Sequence, residues 1–223
     1  AFTADISWIA GGAEMDWEVA IQPVGTGLPA GPGTATQDNP YAVGTLTPVT
    51  GYEVWVRSDC LTNGLSSWVG PVNFQTGCDV FIPDYLEGFA DITPDCWEEA
   101  ADGDITTGPT GLGAGDWNPD GFLNNGFNGA YKINLWQAFK SDWILSPQFD
   151  LTGGPFQVDF DFGIMQFGSN TNAGTLGSDD TVQLLISTDN GASWTNLVTF
   201  DNTSVVPPTG TQVVFDLTAY ARQ

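Results

Sequence analysis

The amino-acid sequence predicts an all-β chain, on three observations. Glycine and proline are abundant, at 28 and 14 of the 223 residues, and they punctuate the chain throughout. No window of about 11 to 18 residues carries the apolar stripe of an amphipathic helix. Short segments instead alternate apolar and polar residues between Gly-, Pro-, Asn- and Thr-rich stretches. Many short strands joined by tight turns are therefore expected.

Alternating segments in the first third of the chain predict four strands. Residues 4–8 and 17–21 alternate, and a Gly/Pro-rich loop follows at residues 25–33. Residues 52–58 place three apolar side chains on one face and Glu, Trp and Arg on the other. Residues 71–76 close this set of strands.

The strongest strand patterns lie in the second half. Residues 156–162 alternate strictly, and residues 212–217 form another β-rich run. Residues 181–187 combine Val182 with the apolar run Leu184-Leu185-Ile186, which predicts a near-continuous buried strand.

Composition and charge restrict the classes of function. Hydrophobic residues make up 41% of the chain, which is enough for one large or two ordinary domain cores. Four basic residues against 27 acidic ones give a net charge of −23. Such a charge repels nucleic acid and anionic lipid, so neither is an expected partner. It favours divalent cations, or it serves only solubility.

Histidine is absent from the sequence. This excludes Ser-His-Asp and Cys-His catalysis and most catalytic zinc sites. Glycosidase chemistry needs only two carboxylates, but the adjacent Glu98 and Glu99 point to opposite faces of a strand. The sequence therefore predicts no enzyme. No apolar run approaches the roughly 18 residues of a membrane span, so no membrane insertion is expected.

Four segments of residues 1–77 form a recognisable order. They are Ile6-Ser7-Trp8, Trp17-Glu18-Val19, Leu46-Thr47-Pro48-Val49-Thr50-Gly51-Tyr52 and Ser66-Ser67-Trp68-Val69-Gly70-Pro71. With these segments, residues 1–77 resemble a fibronectin type III domain, and the third segment is similar to the corner that precedes that family's sixth strand. The resemblance implies a β-sandwich whose first strand is mostly missing before Ala4.

Three segments follow one another in the rest of the chain: Tyr85-Leu86-Glu87-Gly88-Phe89, Pro94-Asp95-Cys96-Trp97 and Ser141-Asp142-Trp143-Ile144-Leu145-Ser146-Pro147. With these segments, residues 78–223 resemble the MAM-like, cleaved-adhesin or choice-of-anchor jelly rolls of large exoproteins from Bacteroidetes-type bacteria. The resemblance implies a second β-sandwich, with further strands after Tyr220. The expected fold is thus a fibronectin type III-like sandwich followed by a truncated jelly roll, cut from a longer secreted or cell-surface chain.

Three cysteines allow one disulfide and leave one thiol. In a hairpin of residues 52–60 and 71–78, Cys60 lies near the turn and Cys78 at the far end of the second strand, beyond the ~7 Å that a bridge spans. Cys78 and Cys96 both border the start of the second domain, which favours a Cys78–Cys96 disulfide. Three small buried thiols are the alternative, and a partner upstream of Ala1 is the alternative for Cys60.

Residues 187–194, with the sequence Ser-Thr-Asp-Asn-Gly-Ala-Ser-Trp, match the Asp-box pattern of β-hairpin turns. We expect Asp189 to accept backbone hydrogen bonds across the turn. Gly191 supplies a positive φ and Trp194 packs beneath the loop. A structural role is expected, without catalysis.

A structural calcium ion is a further expectation, because Ca²⁺ takes six to eight oxygen ligands from carboxylates, carbonyls and amides. The jelly-roll resemblance implies Glu87 as the first ligand. Asp142 and Asp159 or Asp161 are local alternatives for the second ligand, and the pair Asp179 and Asp180 offers another site. For each residue the alternative is a solvated surface carboxylate.

An aromatic, glycine-rich segment at residues 113–127 suggests sugar recognition. Flat rings cover the apolar face of a pyranose, and amides or carboxylates bind its hydroxyls. Trp117, Phe122 and Trp136 are the predicted contacts. The alternative is that these rings fill the core beneath the loop.

These patterns predict non-catalytic extracellular modules that bind a glycan or protein ligand, as in adhesion. A carbohydrate-binding accessory region of a polysaccharide-degrading enzyme is the first alternative. An architectural repeat of a surface filament or stalk is the second. A catalytic domain elsewhere in the parent gene would distinguish the first alternative, and many copies of the same pair of domains the second.

Overall fold

The structure, a computed structural model, describes residues 2–91, 93–136 and 140–221. These residues form fifteen strands and three short 3₁₀ helices, without an α-helix, and their strand pairings are antiparallel. The predicted all-β class is therefore confirmed. The chain divides into two compact units, Ala1–Asp79 and Val80–Gln223, just after the boundary predicted at residues 77 and 78.

The first unit is built on a four-stranded antiparallel sheet in the order β3-β2-β5-β6, accompanied by the two-stranded pair β1-β4. A 3₁₀ helix, Leu61–Asn63, precedes β6. The strands are β1 Ala4–Ile6, β2 Trp17–Pro23, β3 Thr34–Thr36, β4 Tyr41–Val43, β5 Gly51–Ser58 and β6 Val69–Gln75.

Alternate apolar positions of β2 and β5 supply the core of the first unit. Val19 pairs with Val56, and Ile21 pairs with Val54. Val19 is 2% exposed, and Trp17, Leu46, Val54 and Trp55 are also buried. The period-two pattern of these strands therefore delivers a packed interior.

Glu53 departs from the expected alternation of β5, because it is buried on the face predicted to be polar, at 4% exposure. Its carboxylate accepts hydrogen bonds from Gln22 Nε2 at 2.7 Å and from the amides of Gly27 at 2.6 Å and Gly25 at 3.3 Å. The Gln22 hydrogen bond, more than any other contact, lowers the pKa of Glu53. The Gly/Pro-rich loop thus covers this face of the sheet, and Glu53 holds it there.

Glu18 holds the other end of the same loop. Its Oε2 accepts from Arg57 Nε at 2.8 Å and from the Gly33 amide at 3.1 Å. Arg57 also lies 4.3 Å from the centroid of the Trp68 ring. A Cβ added to Gly33 would lie 2.7 Å from the Val19 carbonyl oxygen, so only glycine permits this close approach.

The second unit contains four small sheets with the pairings β11-β7-β8, β9-β10, β12-β15 and β13-β14. Two 3₁₀ helices, Phe122–Asn124 and Thr218–Tyr220, lie in its connections. The strands are β7 Glu98–Asp104, β8 Gly108–Leu112, β9 Asn118–Asp120, β10 Ala130–Lys132, β11 Trp143–Leu145, β12 Gln157–Phe162, β13 Val182–Ile186, β14 Thr195–Phe200 and β15 Thr211–Asp216.

Strands β12 and β15 alternate as their sequences predict. Val158 and Phe160 turn to the less exposed face, while Asp159 and Asp161 turn outward. Phe162 stacks on Phe200 of β14, with 4.1 Å between ring centroids. Yet these apolar side chains are half-buried, because the faces they line enclose an open cavity.

Asp-x-Thr turns follow strands repeatedly in the second unit, a motif that the sequence predictions did not single out. Asp150, Asp201 and Asp216 each accept the amide and the hydroxyl of the Thr two residues later. Asp104 accepts both groups of Thr106 in the same way and also the Thr107 amide, and these bonds lower its pKa to about 2. Such turns satisfy backbone groups where a strand ladder stops.

Candidate functional site

The candidate site is a cavity of about 3480 Å³ in the second unit. All six residues of β12 and all five of β13 border it, together with the loops that flank β9 and β10. Its walls combine the apolar faces of strands with polar loop residues. Ligand pockets usually measure roughly 300–1,000 Å³, so a single small ligand would occupy only part of this open space.

Three aromatic side chains border this cavity while remaining almost fully exposed. Phe127 is 93% exposed, Trp136 is 86% exposed and Phe167 is 87% exposed. Asn124 Nδ2 donates to the Ser169 carbonyl at 2.7 Å and so ties the loop of Phe127 to the loop of Phe167. We call Phe127, Trp136 and Phe167 the aromatic rim.

All three predicted sugar contacts border the cavity, but they differ in exposure. Trp136 belongs to the aromatic rim. Phe122 instead packs against backbone, since a Cβ added to Gly210 would lie 2.7 Å from its Cζ. Trp117 is half-buried, and its Nε1 is buried without a hydrogen-bond partner among the described residues.

Sequence reasoning missed two members of the aromatic rim. Phe127 lies inside the predicted segment, in an Asn-Asn-Gly-Phe-Asn-Gly stretch, but was not chosen as a contact. Phe167 lies in a separate loop after β12. The flanking Asn and Gly residues were the available signal, because they mark turns in which a large side chain has no core to enter.

The electrostatic character of the cavity is acidic. Ten acidic side chains border it against two lysines among the described residues. Lys132 lies 2.5 Å from Asp120, and Lys140 forms an ion pair with Asp116. Because both lysines already face a carboxylate, the remaining carboxylates give the site a negative potential.

Glu87, the first predicted calcium ligand, uses both of its carboxylate oxygens within the protein. Tyr85 donates its hydroxyl hydrogen to Oε2 at 3.0 Å, and the Phe89 amide donates to Oε1 at 2.8 Å. Trp97 Nε1 donates in turn to the Tyr85 hydroxyl at 2.9 Å. Burial is the largest cause of the raised pKa of Tyr85, and the neighbouring Glu87 carboxylate raises this pKa further.

Among the described residues, the other predicted calcium ligands share no hydrogen-bond partner with Glu87. Asp142 accepts the Asp116 amide at 2.9 Å, whereas Asp159 and Asp161 point outward from β12. Asp180 accepts the Gly177 amide at 2.7 Å, and a Cβ on Gly177 would lie 3.1 Å from Asp179 Oδ1. Across residues 2–91, 93–136 and 140–221, no three Asp, Glu or Cys side chains form a potential metal site. Structural calcium stays a prediction.

The hairpin turn between β13 and β14 contains the Asp-box residues. Asp189 accepts from the Ser193 hydroxyl at 2.6 Å and from the Ser193 amide at 2.8 Å, and these bonds lower its pKa. Gly191 has φ +83°, a conformation that glycine adopts without strain. Trp194 meets Trp143 edge-to-face at 5.3 Å. These contacts all stabilise the turn.

The predicted disulfide is confirmed, because Cys78 and Cys96 are disulfide-bonded. Cys60 is a free, exposed thiol. The disulfide encloses the segment that carries Phe81, Tyr85 and Glu87. Phe81 and Tyr85 pack edge-to-face at 5.0 Å.

Comparisons with known proteins leave the two resemblances as proposals. No protein-family model matches the chain, and neither a curated protein nor a solved structure matches it. In the part of the chain that the structure describes, no helix is long and apolar enough to cross a membrane.

Proposed function

We propose that the chain is a non-catalytic extracellular binding region whose second unit holds a glycan at the aromatic rim. The observation that carries this proposal is the near-complete exposure of Phe127, Trp136 and Phe167 beside one cavity. Exposing a large ring to water forgoes the free energy of its burial, so several such rings around one concavity favour a partner that covers them.

A glycan fits this surface better than a wholly apolar ligand. The rings offer flat apolar faces to the C–H side of a pyranose, while carboxylates such as Asp84 and Asp142 and amides such as Asn134 also border the cavity. Hydroxyl groups would donate to those carboxylates. The negative potential disfavours sulfated or uronic-acid-rich chains, so neutral or amino sugars are the expected class.

The extracellular part of the proposal rests on the disulfide and on the charge. A disulfide persists in oxidising compartments, and a net charge of −23 keeps a protein solvated and dispersed. The resemblances to fibronectin type III domains and to adhesin-associated jelly rolls support a place within a larger secreted or cell-surface protein. Adhesion is the role that we propose for it.

A glycan array tests this proposal directly. The chain is applied to an array of neutral, amino and acidic glycans, with and without Ca²⁺, beside Trp136→Ala, Phe127→Ala and Phe167→Ala. Phe2→Ala is the matched control, because Phe2 is a half-exposed ring in the first unit. We expect retention on neutral or amino glycans that each rim variant weakens by about tenfold and the control leaves unchanged.

Two results would contradict the proposal. One is retention on no glycan, which would favour the architectural role. The other is retention that all three rim variants preserve. A dependence of retention on Ca²⁺ would support the calcium prediction separately, since the rim itself needs no cation.

A further inference from the structure

We propose that Asn125, beside the aromatic rim, is a site of spontaneous deamidation, and that the aspartate or isoaspartate formed there alters the rim. The reaction consumes only water. The modification itself does not depend on the proposed function, whereas its expected effect on glycan retention rests on that function. The two parts can therefore fail separately.

Asparagine followed by glycine is a favourable context for this reaction, because glycine has no side chain to hinder the approach of its backbone nitrogen to the asparagine side chain. The chain contains four such pairs, which are Asn63-Gly64, Asn125-Gly126, Asn128-Gly129 and Asn190-Gly191. The residues of all four pairs are exposed. Exposure to water therefore does not distinguish one pair from another.

Hydrogen bonding of the glycine N–H does distinguish the pairs. Three of these N–H groups donate to acceptors: Gly64 to the Leu61 carbonyl at 3.1 Å, Gly129 to the Phe89 carbonyl at 2.9 Å and Gly191 to the Ser187 hydroxyl oxygen at 2.7 Å. The Gly126 N–H, in contrast, has no hydrogen-bond acceptor among the described residues. A nitrogen has to leave its hydrogen bond before it attacks, so Asn125 is the asparagine whose neighbour is ready to react.

The reaction balances with water as its only co-reactant. The Gly126 nitrogen attacks the side-chain carbonyl carbon of Asn125, and the C–N bond of the side-chain amide breaks. The amide nitrogen leaves as ammonia and takes the proton of the Gly126 N–H with it. Water then opens the remaining five-membered imide at either carbonyl, which gives aspartate or isoaspartate. Each product carries a carboxylate where the neutral amide was.

The modified position adjoins the aromatic rim. Phe127 follows Asn125 by two residues and is 93% exposed. Isoaspartate lengthens the main chain by one CH₂ group, while the preceding Asn124 stays tied to the Ser169 carbonyl at 2.7 Å. The lengthened chain therefore displaces the Phe127 ring relative to the loop of Phe167. A displaced ring no longer presents the same surface to a glycan, so we expect weaker retention.

Incubation of the intact chain at mildly alkaline pH, followed over time by peptide mapping with mass spectrometry, tests the modification. Asn125→Gln is the blocking variant, because its longer side chain would have to close a six-membered ring, which forms more slowly. Asn128→Gln is the matched control in the same loop. The chain unfolded in urea is a second control, since unfolding removes the three protecting hydrogen bonds.

In the folded chain we expect Asn125 to deamidate about threefold to tenfold faster than the other three asparagines, because each of those must first lose a hydrogen bond. In urea the four rates should converge, and isoaspartate should accumulate at position 125 in both states. Equal rates in the folded chain would overturn the modification. Slower reaction at Asn125 than at another pair, or aspartate without isoaspartate, would also overturn it.

Retention of the aged chain on a glycan that the fresh chain binds tests the effect on the rim. Retention should fall in step with the loss of the Asn125 amide, towards the loss of about tenfold expected for Phe127→Ala. Asn125→Gln, aged in the same way, should keep its retention. Unchanged retention after complete deamidation would overturn the effect on the rim and leave the modification standing. A fresh chain that binds no glycan would contradict the proposed function and this effect, but not the deamidation.

Discussion

The two units contain strands of similar alternating sequence but differ in how deeply these strands bury their apolar side chains. In the first unit Trp17, Val19, Val54 and Trp55 are buried within a four-stranded arrangement. In the second, the buried apolar residues among those described are Ala100, Leu176 and Val206, and its aromatic residues lie half-buried or exposed. An alternating strand therefore predicts which side chains share a face, whereas the pairing of sheets decides whether that face is covered.

Carboxylates show the same contrast. Glu18 and Glu53 in the first unit hold a loop against the sheet through the amides of Gly25, Gly27 and Gly33. In the second unit Asp150, Asp201 and Asp216 close exposed turns. A carboxylate that organises a loop over a core stabilises packing, while one in an exposed turn stabilises only its own backbone.

The largest expected effect is in the core of the first unit. Trp17→Ala removes a ring that is 8% exposed and packs edge-to-face on Trp8 at 5.3 Å. We expect a loss of about 3–5 kcal/mol of unfolding free energy. Phe215→Ala, at a half-buried ring of β15, should cost clearly less. Denaturant unfolding followed by hydrogen exchange at β2 and β15 measures both, and equal losses would contradict the contrast between the units.

Removing the disulfide should have the next largest effect. In Cys78→Ser/Cys96→Ser the unfolded chain gains the freedom that the cross-link removes, which costs about 3 kcal/mol for a loop near this length. Thermal unfolding with and without reductant checks this value. Cys60→Ser is the control, and its melting temperature should match that of the unmodified chain.

Acidification should release the Asp-x-Thr turns only at low pH. The pKa of Asp104 is about 2 in the folded chain, below its ordinary value of 3.8, because the Thr106 and Thr107 groups donate hydrogen bonds to the carboxylate. Because the pKa of Asp104 is lower in the folded chain than in the unfolded chain, the ionised carboxylate stabilises the folded state. This stabilisation is fully present above pH 3.8 and is lost as the pH falls through about 2. A carboxyl titration by NMR measures the midpoint. In Thr106→Val the hydroxyl donor is gone, and the Asp104 midpoint should rise; an unchanged midpoint would contradict this cause.

The smallest expected effect on stability is at the aromatic rim. Trp136→Ala removes an exposed ring, so the unfolding free energy should change by no more than about 0.5 kcal/mol. Calorimetric melting tests this expectation. A large loss would show that the ring belongs to the core and would remove the basis of the glycan proposal.

Local chemistry made much of the chain predictable. The alternation of residues 156–162 and 212–217 places β12 and β15 within a residue or so of their observed ends. The hairpin turn at Asp189 and Gly191 also follows from neighbouring residues alone. The Cys78–Cys96 disulfide was predictable because strand geometry disfavours Cys60–Cys78 and because Cys78 and Cys96 both border the start of the second domain.

The sequence by itself determined the all-β class, the strand faces, the turn residues and the disulfide, because these depend on side-chain period and short-range geometry. Only the tertiary structure decided that Glu53 is buried beneath a glycine-rich loop and that Phe122 packs while Phe127 and Phe167 stay exposed. Those outcomes depend on which distant segments cover a given face. A period of two cannot encode that choice, since it fixes the direction of each side chain and not what lies opposite it.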